Sequence, residues 1–418
     1  MSDYQQIIKN LFERHQSVQT AGFSADSYKP GLDRIRELDR RAGSPSSRLR
    51  CIHVAGTNGK GSVCSLLAAS LAGSGYRVGL FTSPHLLDFR ERIKIVEEDG
   101  FEMIPKESVM EFLEKYDSPE LSFFEITTGM AFWFFDREQV DIAVIEVGLG
   151  GLLDSTNIIV PELCVVTSIG LDHCALLGDT SALIAGQKAG IFKSGVPAVV
   201  GQMDAETAPV FEAAAAEAHC PLFFAPDFDV HGAEQLKDLL ARMDLQGECQ
   251  EENLRTVLCA LDLLGEEPNV DALCRAAAMT GLRGRWEAVR RSPLTIADIG
   301  HNPAALKGNF TRLKEMMASG AYDKLLIVYG VMADKDLQGI LPLMPREAEY
   351  FFAAPDTPRA LPAPAILSAA KDLLPNAQAC DSVADAVSKA SALATPQSLI
   401  YIGGSTFVVA DYLKLQEI

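Results

Sequence analysis

The sequence predicts an α/β protein, a doubly wound, mostly parallel sheet domain followed by a smaller α/β domain. Three observations carry this. An apolar run over residues 51–55 leads through a glycine-rich turn into a helical pattern at Val63, Leu66, Leu67 and Leu71. Apolar runs of strand length then alternate with helical stretches. The alternation stops at a short, basic, proline-capped segment, residues 282–293, and resumes beyond it.

Taken in order, the first 48 residues read as helix and loop, with a turn signal at Lys29-Pro30-Gly31. Strands are expected at 50–55, 77–81, 141–147, 163–169, 196–201 and 222–225. Helices are expected at 61–72, 108–115, 127–135, 181–193 and 205–218, with a further helical segment at 252–264. Strands that alternate with helices build a parallel sheet. The boundary falls in the basic segment and gives domains 1–285 and 286–418. The second has strands at 294–299, 324–330, 350–354 and 398–403, with helices between, and is of ordinary domain size. No internal repeat or low-complexity tract interrupts either.

Bulk properties narrow the function. A chain of 418 residues exceeds one core of ordinary size, so two or three domains are expected. No run approaches a membrane-spanning length and no signal peptide opens the chain. Nine cysteines without a CxxC pair argue against a disulfide framework or a structural zinc site, and for a cytoplasmic location. Thirty-seven basic against fifty-six acidic side chains give a net charge of −19. Such a surface repels nucleic acid and anionic membranes, and neither is expected as a partner. It also repels ATP. A nucleotide site must then rest on helix N-termini, a few isolated cations and bound Mg²⁺.

The stretch from His53 to Val63 contains Gly56-Thr57-Asn58-Gly59-Lys60-Gly61-Ser62. A strand, a glycine-rich turn and a helix N-terminus form a phosphate cradle: glycines admit the phosphate oxygens to backbone N–H groups, the helix dipole favours the anion, and Lys60 adds a point charge. An ordinary βα turn is the alternative. The usual rule wants a glycine where Val54 stands and a metal-binding hydroxyl where Gly61 stands; Ser62 comes one position late. The metal therefore needs ligands from elsewhere, and a kinase or GTPase of the common type is disfavoured. The fold class becomes a P-loop doubly wound, mostly parallel sheet domain followed by a smaller Rossmann-like α/β domain.

Ligands of open α/β sheets bind at the carboxyl ends of the strands. Glu146 closes an apolar strand there, and a carboxylate in that place is costly unless paired or metal-bound. Asp172 and His173 follow the next strand, and Ser83 opens Ser83-Pro84-His85-Leu86 and offers a hydroxyl. A hydrogen-bonded structural Glu and a plain Ser-Pro turn are the alternatives. Ile184, Lys188 and Ile191 share one helix face, so Lys188 points with the apolar stripe. A buried lysine prefers to be neutral. A neutral amine acts as a nucleophile or takes up CO₂ as a metal-binding carbamate; a lysine whose stem is buried and whose head reaches water is the other reading. Arg285, at the domain boundary, reaches phosphates or forms a surface ion pair.

Together these residues resemble folylpolyglutamate synthase and bifunctional dihydrofolate synthase/folylpolyglutamate synthase, of the Mur ligase superfamily. The carrying motifs are residues 56–62, Ser83-Pro84-His85-Leu86, Glu91-Arg92-Ile93, Phe124-Glu125, and Glu146 to Gly151 with Leu153-Asp154 and Thr156-Asn157. Asp172-His173, Leu177-Gly178, Thr180, Lys188 to Ile191 with Lys193, Gly284-Arg285, Glu287, His301-Asn302-Pro303, Asp334-Lys335-Asp336 and Gly404-Ser405 complete them.

The resemblance implies an ATP-dependent ligase that adds L-glutamate to dihydropteroate or tetrahydrofolates through an acyl phosphate. It implies Thr57, Asn58, Gly59, Lys60, Gly61 and Ser62 around the ATP phosphates, Asn253 at the adenine, and Arg285, Asp298 and His301 as further ATP contacts from the second domain. It implies Ser83, Glu146 and His173 as Mg²⁺ ligands and a carbamylated Lys188 supporting a second Mg²⁺, with Lys60, Lys188 and His173 catalytic. Ser122, Phe124, Glu125, Leu153, Asp154 and Ser155 fall where the pterin-bearing substrate lies, on the first domain. A monomer is expected. Leu152, Gln187 and Ile299-Gly300 depart from the family pattern; Leu152 stands where an arginine is usual. Another Mur-type amide ligase with a different acceptor, and a nucleotide-binding regulatory homologue without turnover, are the alternatives.

Overall fold

Six of the apolar runs become the parallel part of one eight-stranded sheet in the computed structural model, which describes residues 3–15, 22, 29–228 and 233–416. They are β1 (Cys51–Ala55), β2 (Val78–Phe81), β5 (Ile142–Glu146), β6 (Leu163–Val166), β7 (Ala198–Val200) and β8 (Leu222–Phe224). Two strands unforeseen in the sequence, β3 (Ile93–Glu97) and β4 (Gly100–Met103), pair antiparallel at the β2 edge. β4 is only partly buried and carries no apolar run; its signal was the Asp99-Gly100 turn. The sheet order is β4-β3-β2-β5-β1-β6-β7-β8. The direction of winding therefore reverses beside β1, and the crevice above its carboxyl end is where such sheets bind ligands.

The helix Lys60–Gly73 leaves β1 through the glycine turn and is buried from Gly61 to Ala72. It packs against β2, β3 and β5 and also against the helices Gln250–Leu264, Val270–Cys274 and Ala276–Thr280. A helix apolar on every side is a central helix, and here it anchors the phosphate-loop candidate in the core. The opposite face of the sheet is covered by the helices Asp33–Arg41 and Phe123–Arg137 at one end and by Ser181–Ala189 and Ala208–Ala218 at the other. The helix expected over 181–193 ends at Ala189, with Gly190 as its C-cap. Part of the expected N-terminal helix-and-loop region, residues 16–21 and 23–28, lies outside the described residues.

Contacts divide the chain into two units, 1–244 with 249–282 and 245–248 with 283–418. The second unit holds a six-stranded sheet in the order β13-β12-β11-β14-β10-β9. Its parallel strands are β10 (Leu294–Asp298), β11 (Leu325–Tyr329), β12 (Glu349–Phe352), β13 (Ala377–Ala379) and β14 (Leu399–Gly403). The basic segment 282–293 is more than a linker. It contains β9 (Glu287–Arg291), antiparallel to β10 across the Ser292-Pro293 turn. Its polar, largely exposed residues are those of an edge strand, which hides it from a search for apolar runs.

Candidate active site

The loop after β1 is clamped by the strand beside it. Thr57 N donates to Ser168 O at 2.7 Å, Thr167 Oγ1 donates to Asn58 O at 2.6 Å, and Asn58 N donates to Ser168 Oγ at 3.2 Å. Thr57 Oγ1 exchanges hydrogen bonds with Gly170 O and N, both at 3.1 Å. Gly59 is the N-cap of the helix Lys60–Gly73, at a φ of 85°, and no side chain caps that helix end. A Cβ at Gly59 would collide with Asn253 Oδ1. Asn253 thus lies against the loop itself, steadied by Gln250 Oε1 at 3.0 Å. The result is a bare helix N-terminus behind a glycine, with Gly61 and Ser62 buried in its first turn. That is a seat for an anion.

Two lysines meet at the mouth of this seat. Lys60 Nζ donates to Gly56 O at 3.0 Å and Lys188 Nζ donates to the same oxygen at 2.9 Å. Lys188 is 3% exposed. Burial first, and then the charge of Lys60, pull its pKa down to about 7, while Asp172 and Asp154 pull the other way. Gly56, Thr57, Lys60, Gly148, Leu149, Gly150, Asp172, His173 and Lys188 line one pocket. His173 enters it at a φ of 54°, with its N–H on Asp172 Oδ1 at 2.9 Å.

Glu146 ends β5 beside this pocket and accepts a hydrogen bond from Ser83 N at 3.0 Å. Ser83 and Glu146 are thus neighbours, although 63 residues separate them. The loop that carries Ser83 is fixed by Glu91, whose carboxylate receives the N–H groups of Leu86, Leu87 and Asp88 at 2.7 to 2.8 Å. Arg92 is buried, donates from Nε to His85 Nδ1 at 2.8 Å and lies over the Phe123 ring. Burial lowers its pKa to about 10, against the opposing charges of Glu146 and Glu91.

The other pocket wall is the loop after Glu146. Asp154 is buried and holds this loop, accepting Leu149 N at 2.9 Å, Thr156 N at 3.0 Å and Thr156 Oγ1 at 2.5 Å. Burial raises its pKa against those bonds. A Cβ at Gly148 would strike the Phe124 ring, so that ring lies directly on the pocket wall. Ser122 and Glu125 form a capping box for the helix Phe123–Arg137. Glu125 is also paired with Arg34 at 3.0 Å. Their polar groups therefore serve the helix end. Leu152 and Leu153 are exposed and Ser155 is buried. Leu152 is hydrogen-bonded through its backbone, from its N to Gln187 O at 2.9 Å and from Asn157 Nδ2 to its O at 3.0 Å, and its Cβ lies against Gly190 while the side chain is 46% exposed.

In the second unit, Asp298 closes β10 and is 9% exposed. It receives Trp286 N and Gly300 N, each at 2.8 Å, and Asn309 Nδ2 at 2.6 Å. Glu287 receives Gly284 N at 2.8 Å. Arg285 therefore sits in a turn pinned on both flanks. Trp286 holds a φ of 49° there, with the Arg312 guanidinium 4.8 Å above its ring. His301 Nδ1 donates to Ile299 O at 3.0 Å, and Asn302 caps the helix Pro303–Ala318. Asp298, which the resemblance offers as an ATP contact, thus accepts three hydrogen bonds from its own unit.

Thr167, Ser168, Asp172 and Arg92 also stand at this site, though none carries a role in the motifs above. Asp172 stood beside a chosen residue and Arg92 lay inside a matched motif. The loop clamp at Thr167 and Ser168 left no local signal, because it depends on β6 lying next to β1.

Residues 54–270 match the Mur ligase middle domain and residues 284–406 match the Mur ligase, glutamate ligase domain. The chain is 33% identical over 394 residues to the dihydrofolate synthase/folylpolyglutamate synthase of Escherichia coli, covering 92% of this chain and 91% of that one. It is 33% identical over 406 residues to the folylpolyglutamate synthase of Lacticaseibacillus casei, covering 90% and 92%. A probable bifunctional folylpolyglutamate synthase/dihydropteroate synthase of Haloferax volcanii is also 33% identical, and this chain spans about half of its length, 48%. Escherichia coli FolC in complex with DHPP and ADP superposes with a TM-score of 0.84 at 30% identity, covering 100% of this chain and 98% of that one. The bifunctional synthase of Yersinia pestis complexed with AMPPNP and Mn ion gives 0.83 at 27% identity, covering 100% and 99%. Both Mur ligase regions occur in order, and the Escherichia coli and Lacticaseibacillus casei relatives match along nearly their whole length, so this chain belongs to the folylpolyglutamate synthase/dihydrofolate synthase family of ATP-dependent Mur ligases.

Proposed function

We propose that this chain joins L-glutamate to the carboxylate of dihydropteroate, of tetrahydrofolates, or of both, with cleavage of ATP to ADP and phosphate. The observation that carries the reading is the convergence of Lys60 and Lys188 on the Gly56 carbonyl, beside a bare helix N-terminus. In a chain of net charge −19, the Lys60 ammonium beside that helix N-terminus calls for an anion, and a triphosphate supplies it. The relatives named above add support: one structure holds DHPP and ADP, another AMPPNP and Mn.

The chemistry follows from the poor electrophilicity of a carboxylate. Its oxygen attacks the γ-phosphorus, the bond to the β-phosphate oxygen breaks, and ADP leaves. The glutamate amine, having shed a proton, then attacks the acyl carbon, and phosphate departs with the former carboxylate oxygen. Thr57, Asn58, Gly59, Lys60, Gly61 and Ser62 hold the phosphates, and Lys60 neutralises charge that builds on the transferred group. Asn253, Arg285 and His301 contribute to nucleotide binding, and Asp298 acts by holding the Arg285 turn. Phe124, Leu153, Ser155 and the wall held by Asp154 receive the pterin-bearing substrate; Ser122 and Glu125 set the helix that carries Phe124.

The residues also fit a divalent cation. Glu146 and Ser83 lie side by side, His173 lines the pocket, and a carboxylate with a hydroxyl suits Mg²⁺ or Mn²⁺. When bound, the cation offsets triphosphate charge. Lys188, near neutrality and buried in the same pocket, meets the requirement for carbamylation and would then support a second cation. The enzyme is read as a cytoplasmic monomer; all nine cysteines are free. Among the described residues no helix is long and apolar enough to cross a membrane.

The test is ADP release with dihydropteroate or a tetrahydrofolate plus glutamate, using acid labelled with ¹⁸O in its carboxylate. One labelled oxygen should appear in the phosphate. ADP release with neither acceptor, or unlabelled phosphate, overturns the reading.

A further inference from the structure

His53 lies in the middle of β1 with none of its surface exposed, opposite Ile145 on β5 and Cys164 on β6. A polar ring at the centre of a parallel sheet is costly unless its hydrogen bonds are used. Nε2 is 2.8 Å from Thr156 Oγ1, and Nδ1 has no partner. The Thr156 hydroxyl has a single proton, which it gives to Asp154 Oδ1 at 2.5 Å. Nε2 is therefore the donor to the Thr156 oxygen, and the neutral ring carries its proton there. Asp154 Oδ2 in turn receives the N–H of Leu149 in the pocket wall. An apolar residue at 53 would avoid the unpaired Nδ1. What it cannot supply is the donor to Thr156.

We propose that His53 is a positioning residue for the pocket wall: through the Thr156 hydroxyl it orients the Asp154 carboxylate, and through Asp154 it fixes the amide of Leu149. The whole relay runs from the sheet interior to the pocket wall without a solvent-exposed link. Its bearing on catalysis rests on the glutamate-ligase reading above; its bearing on the wall does not.

Amide hydrogen exchange on the free protein reads the relay directly. In His53→Leu, exchange at Leu149 should quicken about two- to ten-fold, the factor that one neutral hydrogen bond commands. Amides of the distant strands β7 and β8 should not change. His53→Gln, whose amide nitrogen reaches the same oxygen, should restore the parent rate. Thr156→Val breaks the same link without touching the sheet, which covers the case in which His53→Leu fails to fold. The double variant should exchange no faster at Leu149 than Thr156→Val alone. In the ligase assay the KM for the acceptor should rise by a similar factor, with the KM for ATP unchanged. An unchanged Leu149 rate in the variants, a rise spread evenly over the sheet, or additive effects in the double variant overturns the proposal. An inactive parent with the exchange pattern intact would overturn only the ligase reading.

Discussion

Asp298→Ala discriminates between a nucleotide contact and a structural clasp. The change removes the acceptor of three hydrogen bonds and leaves Trp286 N, Gly300 N and Asn309 Nδ2 without it at a site only 9% exposed. A hydrogen bond to a charged group is worth about 1.5–3 kcal/mol. The three are not additive, and water refills part of the space, so a loss of about 3–5 kcal/mol is expected for the second unit. The chain has two tryptophans, Trp133 in the first unit and Trp286 in the second. In a Trp133→Phe background, Trp286 alone reports. It is 5% exposed and packed under Arg312, so its emission should shift strongly on unfolding. With a urea slope of about 1–3 kcal/mol per molar, the midpoint should fall by roughly 1–5 M. Asp298→Asn keeps one acceptor oxygen and should lose about half as much. An unchanged midpoint with a raised KM for ATP would refute the clasp and restore the direct contact.

Other outcomes follow from the same geometry. Lys188→Ala should abolish turnover and leave nucleotide affinity largely intact in calorimetry; full activity would count against any part for this amine. Glu146→Gln should raise the Mg²⁺ or Mn²⁺ concentration needed for half-maximal activity at least about ten-fold, as expected for loss of a charged ligand; an unchanged metal dependence would remove Glu146 from the ligand set. Gly148→Ala drives a methyl into the Phe124 ring, and should raise the acceptor KM while sparing that for ATP. Lys94 is buried, donates to Thr280 O at 2.7 Å, and has its pKa lowered by burial from 10.5 to about 8. Between those values the unfolded chain binds more protons than the folded one, so stability rises with pH across that window and is lost as pH falls through 8, at up to about 1.4 kcal/mol per pH unit. Lys94→Met should remove that share of the rise in urea midpoints; an identical slope in parent and variant would show that Lys94 does not contribute it.

Several features were legible because they are written locally. The strand, glycine turn and helix around Lys60 occupy contiguous residues, and Gly59 at a positive φ needs no partner to be recognised. The spacing of Ile184 and Lys188 placed the lysine on a buried face, where it lies. The capping box at Ser122 and Glu125 is equally readable as serine followed three residues later by glutamate, and the family resemblance adds substrate contact to the same two residues. β9 shows no apolar run, because an edge strand faces water and this one carries Glu287, Arg290 and Arg291 among its five residues.

By itself, then, the sequence determined the alternation of strands and helices, the glycine turn before the helix of Lys60 and the inward lysine, since each depends on residues a few positions apart. Only the tertiary structure decided that Lys60 and Lys188 share one carbonyl, that Thr167 and Ser168 clamp the loop, that Ser83 meets Glu146, and that Asp298 turns inward to its own unit. Those contacts join residues as much as 132 positions apart. They exist because the order of strands in a sheet sets which loop ends stand side by side, and no short stretch of chain carries that order.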